Sequence, residues 1–286
     1  MKISEILAQD KPVLSFEVFP PKEESAFESV EEAAFEIARL APAFMSVTYG
    51  AGGGTSKYTV DIASDLKQKF GVTALAHLTC VSSTREYVHQ VVDRLKEHDI
   101  HNIMALRGDI PKDGVIQNDY KYASELVAEL KTLGDFCIGG ACYPEGHPEA
   151  GTKAEDILHL KEKVDAGCDF LTTQMFFDND LLYNFLYQIR DKGIKVPVVA
   201  GIMPVTNAKQ MKRILAMSGA QIPAKFRAIV DKFGDNPAAM RQAGVAYATD
   251  QIVDLIANGV NAVHVYSMNK PDVAAQIKNS LSEIII

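Results

Sequence analysis

Eight short apolar runs recur along the chain, at residues 14–19, 44–49, 73–79, 102–107, 136–143, 170–176, 196–202 and 262–266. The first seven end about thirty residues apart, the length of one strand, one crossover helix and two loops. Near-continuous hydrophobicity, rather than strict alternation, marks strands of a parallel sheet covered on its outer face. Between the runs, Val30, Ala33, Ile37 and Leu40 fall at helical spacing, as do Val88, Val91, Val92 and Leu95. Thr84 and Thr206-Asn207 stand where helices would open, and Gly71 and Gly134 where they would close. The interval from Ile202 to Ala262 is about twice the usual length, and Pro223 and Pro237 divide it into three helices. The pattern predicts an α/β (β/α)8 TIM barrel with extra helices before the last strand, residues 1–286 forming one domain. A doubly wound open sheet is the competing arrangement. No Ser/Pro/Gly-rich linker interrupts the repeat.

Composition supports a soluble fold and narrows its partners. A chain of 286 residues that is 47% hydrophobic and 23% charged can build a sizeable core. A net charge of -8 argues against a surface built for nucleic acid or anionic lipid. No apolar run approaches the roughly 18 residues of a spanning helix. Glu5 and Asp10 interrupt what would be a signal peptide's apolar region, so a cytoplasmic protein is expected. Cys80, Cys137, Cys142 and Cys168 lie in or beside apolar runs without C-x-x-C or zinc spacing, and read as small buried hydrophobes. Ile284, Ile285 and Ile286 are too few for an anchor and read as a core or subunit contact; a homo-oligomer is expected.

A barrel brings its reactive side chains to the C-terminal ends of its strands, and polar residues gather at those ends here. The first run carries Glu17 and leads into Pro20-Pro21. The second ends in Thr48-Tyr49-Gly50, the third contains His77 and ends in Thr79, and the fourth ends in Arg107-Gly108-Asp109. The fifth leads to Tyr143-Pro144-Glu145-Gly146-His147, the sixth to Thr173-Gln174, and the eighth to Tyr266, with Asn269-Lys270 beyond. Any one of these residues could merely cap a strand. Seven strand ends together point to a site.

Glu17 is flanked by aromatics in SFEVFPP, which would desolvate its carboxyl and raise its pKa from about 4.3. A second carboxylate such as Asp109 would push the same way and give a general acid usable at neutral pH. The alternative is a glutamate paired with a structural Arg or Lys. Gly50-Ala51-Gly52-Gly53-Gly54-Thr55 follows a strand, yet it lacks both the third glycine of a dinucleotide fingerprint and the Gly-Lys-Ser/Thr of a P-loop, and reads as a mobile loop at the barrel mouth. Asp156, His159 and Lys163 fall within about 60° of one another on an ideal helix. They form either a solvated ion-pair face or a contact for a ligand's phosphate and ribose. A metal-dependent lyase or hydrolase using Glu17, His77, Asp109 and His147 finds no H-x-H or H-E-x-x-H spacing, and no resident metal is expected.

The motifs SFEVFPP (15–21), SVTYG (46–50), HLTC (77–80), ALRGDIP (105–111), YPEGHPEA (143–150), KVDAG (163–167) and TQMFF (173–177) stand in the order found in the methylenetetrahydrofolate reductase family. The chain resembles that family over essentially its whole length, in the short bacterial form without a regulatory domain. The resemblance implies an FAD-dependent barrel that reduces 5,10-methylenetetrahydrofolate to 5-methyltetrahydrofolate with NADH or NADPH, ping-pong through the bound flavin. It makes Glu17 the general acid for opening the substrate's five-membered ring, and sets Asp109 between flavin and pterin. It gives the folate Gln174, Tyr266 and Lys270 as further contacts. It gives the FAD Thr48, His77, Leu106, Arg107, Gly108, Asp109, Tyr122, Ala123, Tyr143, His147, Asp156, His159 and Lys163. Four positions depart from the family pattern. His159 stands for Asn and Glu162 for Arg, where a carboxylate would repel a pyrophosphate unless it faces water. Ile214 replaces an aromatic that would meet the nicotinamide cofactor, and Lys270 keeps an arginine's charge without its planar fork. A folate or flavin carrier without catalysis is the non-enzymatic alternative.

Overall fold

The computed structural model describes residues 1–9, 11–21, 23–49, 56–110, 117, 119–209, 211, 214 and 220–285, the side chains of Glu24, Ser56 and Lys57 excepted. Eight parallel strands, β1 (Val13–Val18), β2 (Met45–Val47), β3 (Ala74–Thr79), β4 (Asn102–Leu106), β5 (Cys137–Cys142), β6 (Phe170–Thr173), β7 (Val198–Ile202) and β8 (Ala262–Tyr266), close in sequence order. The closure pairs β1 with β8, placing Ser15 opposite His264 and Glu17 opposite Tyr266. All eight expected strands are present, and the closed ring excludes the open-sheet alternative.

Short α1 (Ile3–Leu7) precedes the barrel, and α2 (Phe27–Ala38), α3 (Ser56–Phe70), α4 (Arg85–Glu97), α5 (Ala123–Leu133), α6 (Lys153–Asp165) and α7 (Asn179–Asp191) each follow a strand. Between β7 and β8 lie α8 (Ala224–Phe233) and α9 (Pro237–Ala257), after a helical segment described only in part; α10 (Pro271–Ser280) ends the ring. The helix starts follow local chemistry. The Thr84 and Thr152 hydroxyls accept from the backbone N–H three residues on, at 3.1 Å each, and the Asn236 side chain does the same ahead of Pro237. The extra helices read from Pro223 and Pro237 are therefore present, while the glycine-rich stretch 50–55 lies outside the described residues.

Alternation along each strand divides the core into two shells. Outward residues such as Phe16, Val18, Ile103 and Val265 pack under the helices, on Ile37, Val92, Leu126 and Ile277. The floor of the lumen is a second cluster of Val13, Phe44, Leu75, Met104, Cys137, Phe170 and Val199, sealed from below by Ile3 and Ile6 of α1. Asn102 fixes this plug: its Oδ1 accepts from the Ile3 N–H at 2.8 Å, and its Nδ2 donates to the carbonyls of Met1 and Ala74 at 3.2 Å. Gly139 makes room for the Phe170 ring, since a Cβ there would lie 2.5 Å from Cζ. The floor is apolar and closed, so polar function is confined to the opposite end. Ile214 is buried in a third cluster beyond β7, with Phe177, Met203, Phe226 and Tyr247. The four cysteines are buried free thiols, as their apolar surroundings implied.

Candidate active site

The strand register brings Glu17 beside Ser46 of β2 and Tyr266 of β8. Its carboxyl hydrogen-bonds the Ser46 hydroxyl, and Oε2 lies 3.9 Å from Nε2 of His77. Burial pushes the carboxyl up to about 8, although 19% of the side chain still reaches the mouth. Its described neighbours are thus a hydroxyl and an imidazole, not the structural Arg or Lys of the alternative reading. Burial also lowers His77 to about 4, which leaves the ring uncharged at neutral pH. The two groups therefore meet as neutral species, too far apart for a hydrogen bond.

The elevated acid matches the expectation, but its cause differs. Phe16 points outward into the helix-facing core, so it cannot shield the inward-facing Glu17. Nor does Asp109 contribute: it is exposed beyond β4, and burial rather than a neighbouring charge raises the Glu17 carboxyl.

Side chains of β4, β5 and α6 form the other wall. Gly108 adopts φ +86°, and a Cβ there would come within 2.9 Å of Thr79 Cβ, so the turn after β4 requires glycine. Arg107 projects from this turn and donates through both terminal nitrogens to Glu149, at 2.6 and 2.7 Å. His147 packs edge-on against Tyr143, with centroids 4.7 Å apart, and its Nδ1 accepts from the Glu149 N–H at 3.1 Å. Asp156 Oδ2 accepts from the His147 N–H at 3.1 Å, and burial raises its pKa. Lys163 donates to the Ala141 carbonyl, while burial lowers its pKa. Asp156 and Lys163 thus turn inward from α6. His159 and Glu162 are exposed, so the carboxylate that departs from the family pattern faces water.

The remaining candidates are distributed around the rim. Thr48 accepts through its carbonyl from Thr59 Oγ1 at 2.9 Å. Leu106 and Arg107 share through their carbonyls the N–H of Cys80, at 3.1 Å each. Tyr122 is exposed at the cap of α5, directly before Ala123. Gln174 accepts from the Met175 N–H at 2.9 Å, Tyr266 donates to the Thr173 carbonyl at 2.6 Å, and Lys270 donates to Thr206 Oγ1 at 2.7 Å. Among the described residues, no three His, Cys, Asp or Glu side chains gather closely enough to hold a metal ion.

The linear sequence does not show the partners in three features. His264 is buried in the lumen and bonded to two serines. Glu149 is the partner of Arg107. Ser267 Oγ donates to the Glu17 carbonyl at 2.8 Å, and Asn269, at φ +50°, holds both backbone groups of Phe19 with its side-chain amide. In the sequence Asn269 is visible only as a polar residue beyond the eighth run. Its pair of bonds clamps the end of β1 to the loop after β8, and with it the position of Glu17.

A closed α/β barrel with a buried carboxylic acid on one wall of its mouth and inward-turned cations on the other has the form of a barrel enzyme. The chain belongs to the methylenetetrahydrofolate reductase family, whose profile it matches over residues 2–282. It is 35% identical to the 5,10-methylenetetrahydrofolate reductase of Pectobacterium carotovorum subsp. carotovorum, over 94% of this chain and 89% of that one. It is 34% identical to methylenetetrahydrofolate reductase (NADH) 1 of Arabidopsis thaliana, where the match covers 94% of this chain and 48% of the plant protein. Among solved structures, an uncharacterized Clostridium thermocellum protein that binds two copies of 5-methyl-5,6,7,8-tetrahydrofolic acid superposes with a TM-score of 0.71 over the full length of both chains. At 14% identity that likeness shows the shared fold.

Proposed function

We propose that this protein reduces 5,10-methylenetetrahydrofolate to 5-methyltetrahydrofolate, with NADH or NADPH as electron donor and FAD as resident cofactor. The supporting observation is Glu17, a carboxyl pushed up to about 8 at the mouth of a barrel of this family. Opening the substrate's five-membered ring requires a proton on the departing nitrogen. A group of this pKa is mostly protonated at pH 7 and still acidic enough to give the proton up. Neutral His77 beside it adds no positive charge that would favour the carboxylate.

The donor set of the opposite wall fits FAD. Arg107 and Lys163 are cations suited to a diphosphate, and Asp156 is suited to ribose hydroxyls. Thr48, His77, Leu106, Gly108, Tyr122, Ala123, Tyr143, His147 and His159 complete the proposed contacts. FAD, when bound, supplies the two-electron chemistry, accepting hydride from the nicotinamide and delivering it to the folate in alternating half-reactions. Asp109, Gln174, Tyr266 and Lys270 orient the folate: the first three toward the pterin, Lys270 as a cation toward its carboxylate tail. Glu17 holds the proton, and the closed floor beneath it keeps water from entering the lumen from the far end. The barrel and its added helices act as one catalytic domain.

Anaerobic stopped-flow tests the proposal. NADH or NADPH should bleach the flavin absorbance, and methylenetetrahydrofolate should restore it. A protein that releases no FAD on denaturation, or a reduced flavin that methylenetetrahydrofolate does not reoxidise, would overturn it.

A further inference from the structure

The mouth end of β1 is held on its two sides by different means. On the β2 side the Thr48 N–H reaches the Val18 carbonyl at 3.0 Å, backbone to backbone. On the β8 side the pairing stops at Glu17 opposite Tyr266, and the chain then enters Pro20-Pro21, which have no N–H to offer a neighbour. Two side chains take over there. Ser267 Oγ donates to the Glu17 carbonyl at 2.8 Å. The Asn269 amide faces Phe19 as an extended residue would, Oδ1 accepting from its N–H at 3.0 Å and Nδ2 donating to its carbonyl at 2.9 Å. A backbone N–H only donates and a backbone carbonyl only accepts, so the partners settle all three directions.

Bringing the amide there distorts the turn after β8. Met268 and Asn269 stand at φ +55° and +50°, two consecutive left-handed residues of which only asparagine visits that region readily. Strain of this kind persists where the surrounding structure over-determines it, and it gathers at functional sites. We propose that Asn269 is a positioning residue: its amide, with the Ser267 hydroxyl, completes the β8 side of β1 and fixes the backbone from which Glu17 reaches the substrate. This rests on Glu17 being the acid proposed above. Proton transfer needs the carboxyl within about 2.6–3.2 Å of the departing nitrogen. A strand end that drifts by about an ångström loses the reaction while the substrate still binds. The far end of the turn has its own anchor. Lys270 donates its N–H to the Ser267 carbonyl at 3.1 Å and its ammonium to Thr206 Oγ1 at 2.7 Å, so the cation proposed for the folate tail does not hang on the Asn269 amide. Loss of that amide therefore falls on the acid and spares the cation.

The test is the folate half-reaction of the FAD-loaded protein, with its limiting rate and its half-saturating folate concentration read separately. Hydrogen exchange of the Phe19 N–H is a readout independent of activity. Asn269→Gly keeps the left-handed backbone and deletes the amide. The limiting rate should fall about 10- to 100-fold, and Phe19 exchange should quicken. The half-saturating concentration, and flavin reduction by NAD(P)H, should stay near their unmodified values. Asn269→Asp retains the acceptor for the Phe19 N–H and should recover part of both the rate and the protection. Ser267→Ala, a smaller perturbation should the glycine variant not fold, should lower the limiting rate by less. An unchanged limiting rate in the folded variants, or a rate that falls only together with weaker folate binding, would overturn the positioning role. Glu17→Gln separates the two ideas. If it retains the folate half-reaction, the acid assignment itself fails. If it loses that reaction, and Asn269→Gly lowers its residual rate as much as it lowers the unmodified rate, Asn269 acts on something other than the acid and only the positioning role fails.

Discussion

On one wall of the mouth Glu17 meets a hydroxyl and a neutral imidazole; on the other Arg107 meets Glu149, and Lys163 and Asp156 turn inward from α6. Both walls are partly buried, yet they handle charge in opposite ways. The first leaves its carboxyl without a cation, so burial outweighs the opposing hydrogen bond from Ser46 and the acid keeps its proton. The second pairs Arg107 with Glu149, and that bond favours the charged form of both. Glu149, for example, is held below the usual carboxylate range by its bond to Arg107. On the function proposed above, proton chemistry and anion binding fall on different walls, and mutations on the two should be separable.

The sharpest way to break this comparison is Glu17→Gln. The amide keeps the shape and loses the proton, so the folate half-reaction should fall by about 10²–10⁴-fold, the usual worth of a general acid. FAD binding and flavin reduction by NAD(P)H should stay near the unmodified level. Equal loss of both half-reactions in stopped-flow would show that the walls are not separable.

The same variant tests burial through stability. Glu17 has a folded-state pKa near 8, above its unfolded value, so the folded protein holds this proton more tightly. The stabilising contribution is full below about pH 4.5 and is lost as pH rises toward and through 8. Relative to Glu17→Gln, the unmodified protein should therefore lose about 2–4 kcal/mol between pH 5 and 8, since each tenfold change in proton affinity between the folded and unfolded chain is worth about 1.4 kcal/mol. Paired denaturant titrations at the two pH values measure this. A constant difference would mean that the carboxylate is not desolvated in the fold.

Much of this arrangement was legible in the sequence, for a physical reason. Parallel strands buried on both faces are written as apolar runs, and the polar residue that ends such a run sits at the mouth by construction of the fold. Glu17, Arg107 and Tyr143 are found that way. What was not legible lies across strands. His264 meets Ser46 over a separation of 218 residues and Ser15 over 249, and only the register of β8–β1–β2 brings them together. Arg107 and Glu149 are joined across 42 residues and two strands. The α1 plug has five residues, too few to show a period. Even the elevated acid is anticipated from adjacent aromatics, when alternation sends Phe16 to the opposite face.

On the anion-binding wall, Lys163→Met should weaken FAD binding by about 10–100-fold, the range for losing a hydrogen bond from a charged group. It should leave the alkaline limb of the folate half-reaction in place, because Lys163 is not among the groups that set Glu17. Equilibrium dialysis of FAD together with the pH profile checks both statements. A moved limb would couple the two walls.

The smallest effect belongs to Glu149, and it sharpens what the second wall is for. Its carboxylate grips Arg107 through both oxygens, in the planar two-bond geometry that the guanidinium also offers a phosphate. Glu149 is more than half exposed, so the pair contributes little to the fold and the carboxylate competes with an anionic ligand at modest cost. Glu149→Gln removes that competitor and leaves the backbone N–H of residue 149 free to keep its bond to His147. FAD affinity should rise about two- to fivefold, equivalent to less than about 1 kcal/mol, and the gain should shrink as salt is added. Flavin titrations at low and high ionic strength measure both effects. Weaker binding in this variant would mean that Glu149 aims Arg107 at the ligand instead of competing with it, and the second wall would then be preorganised by its own acid.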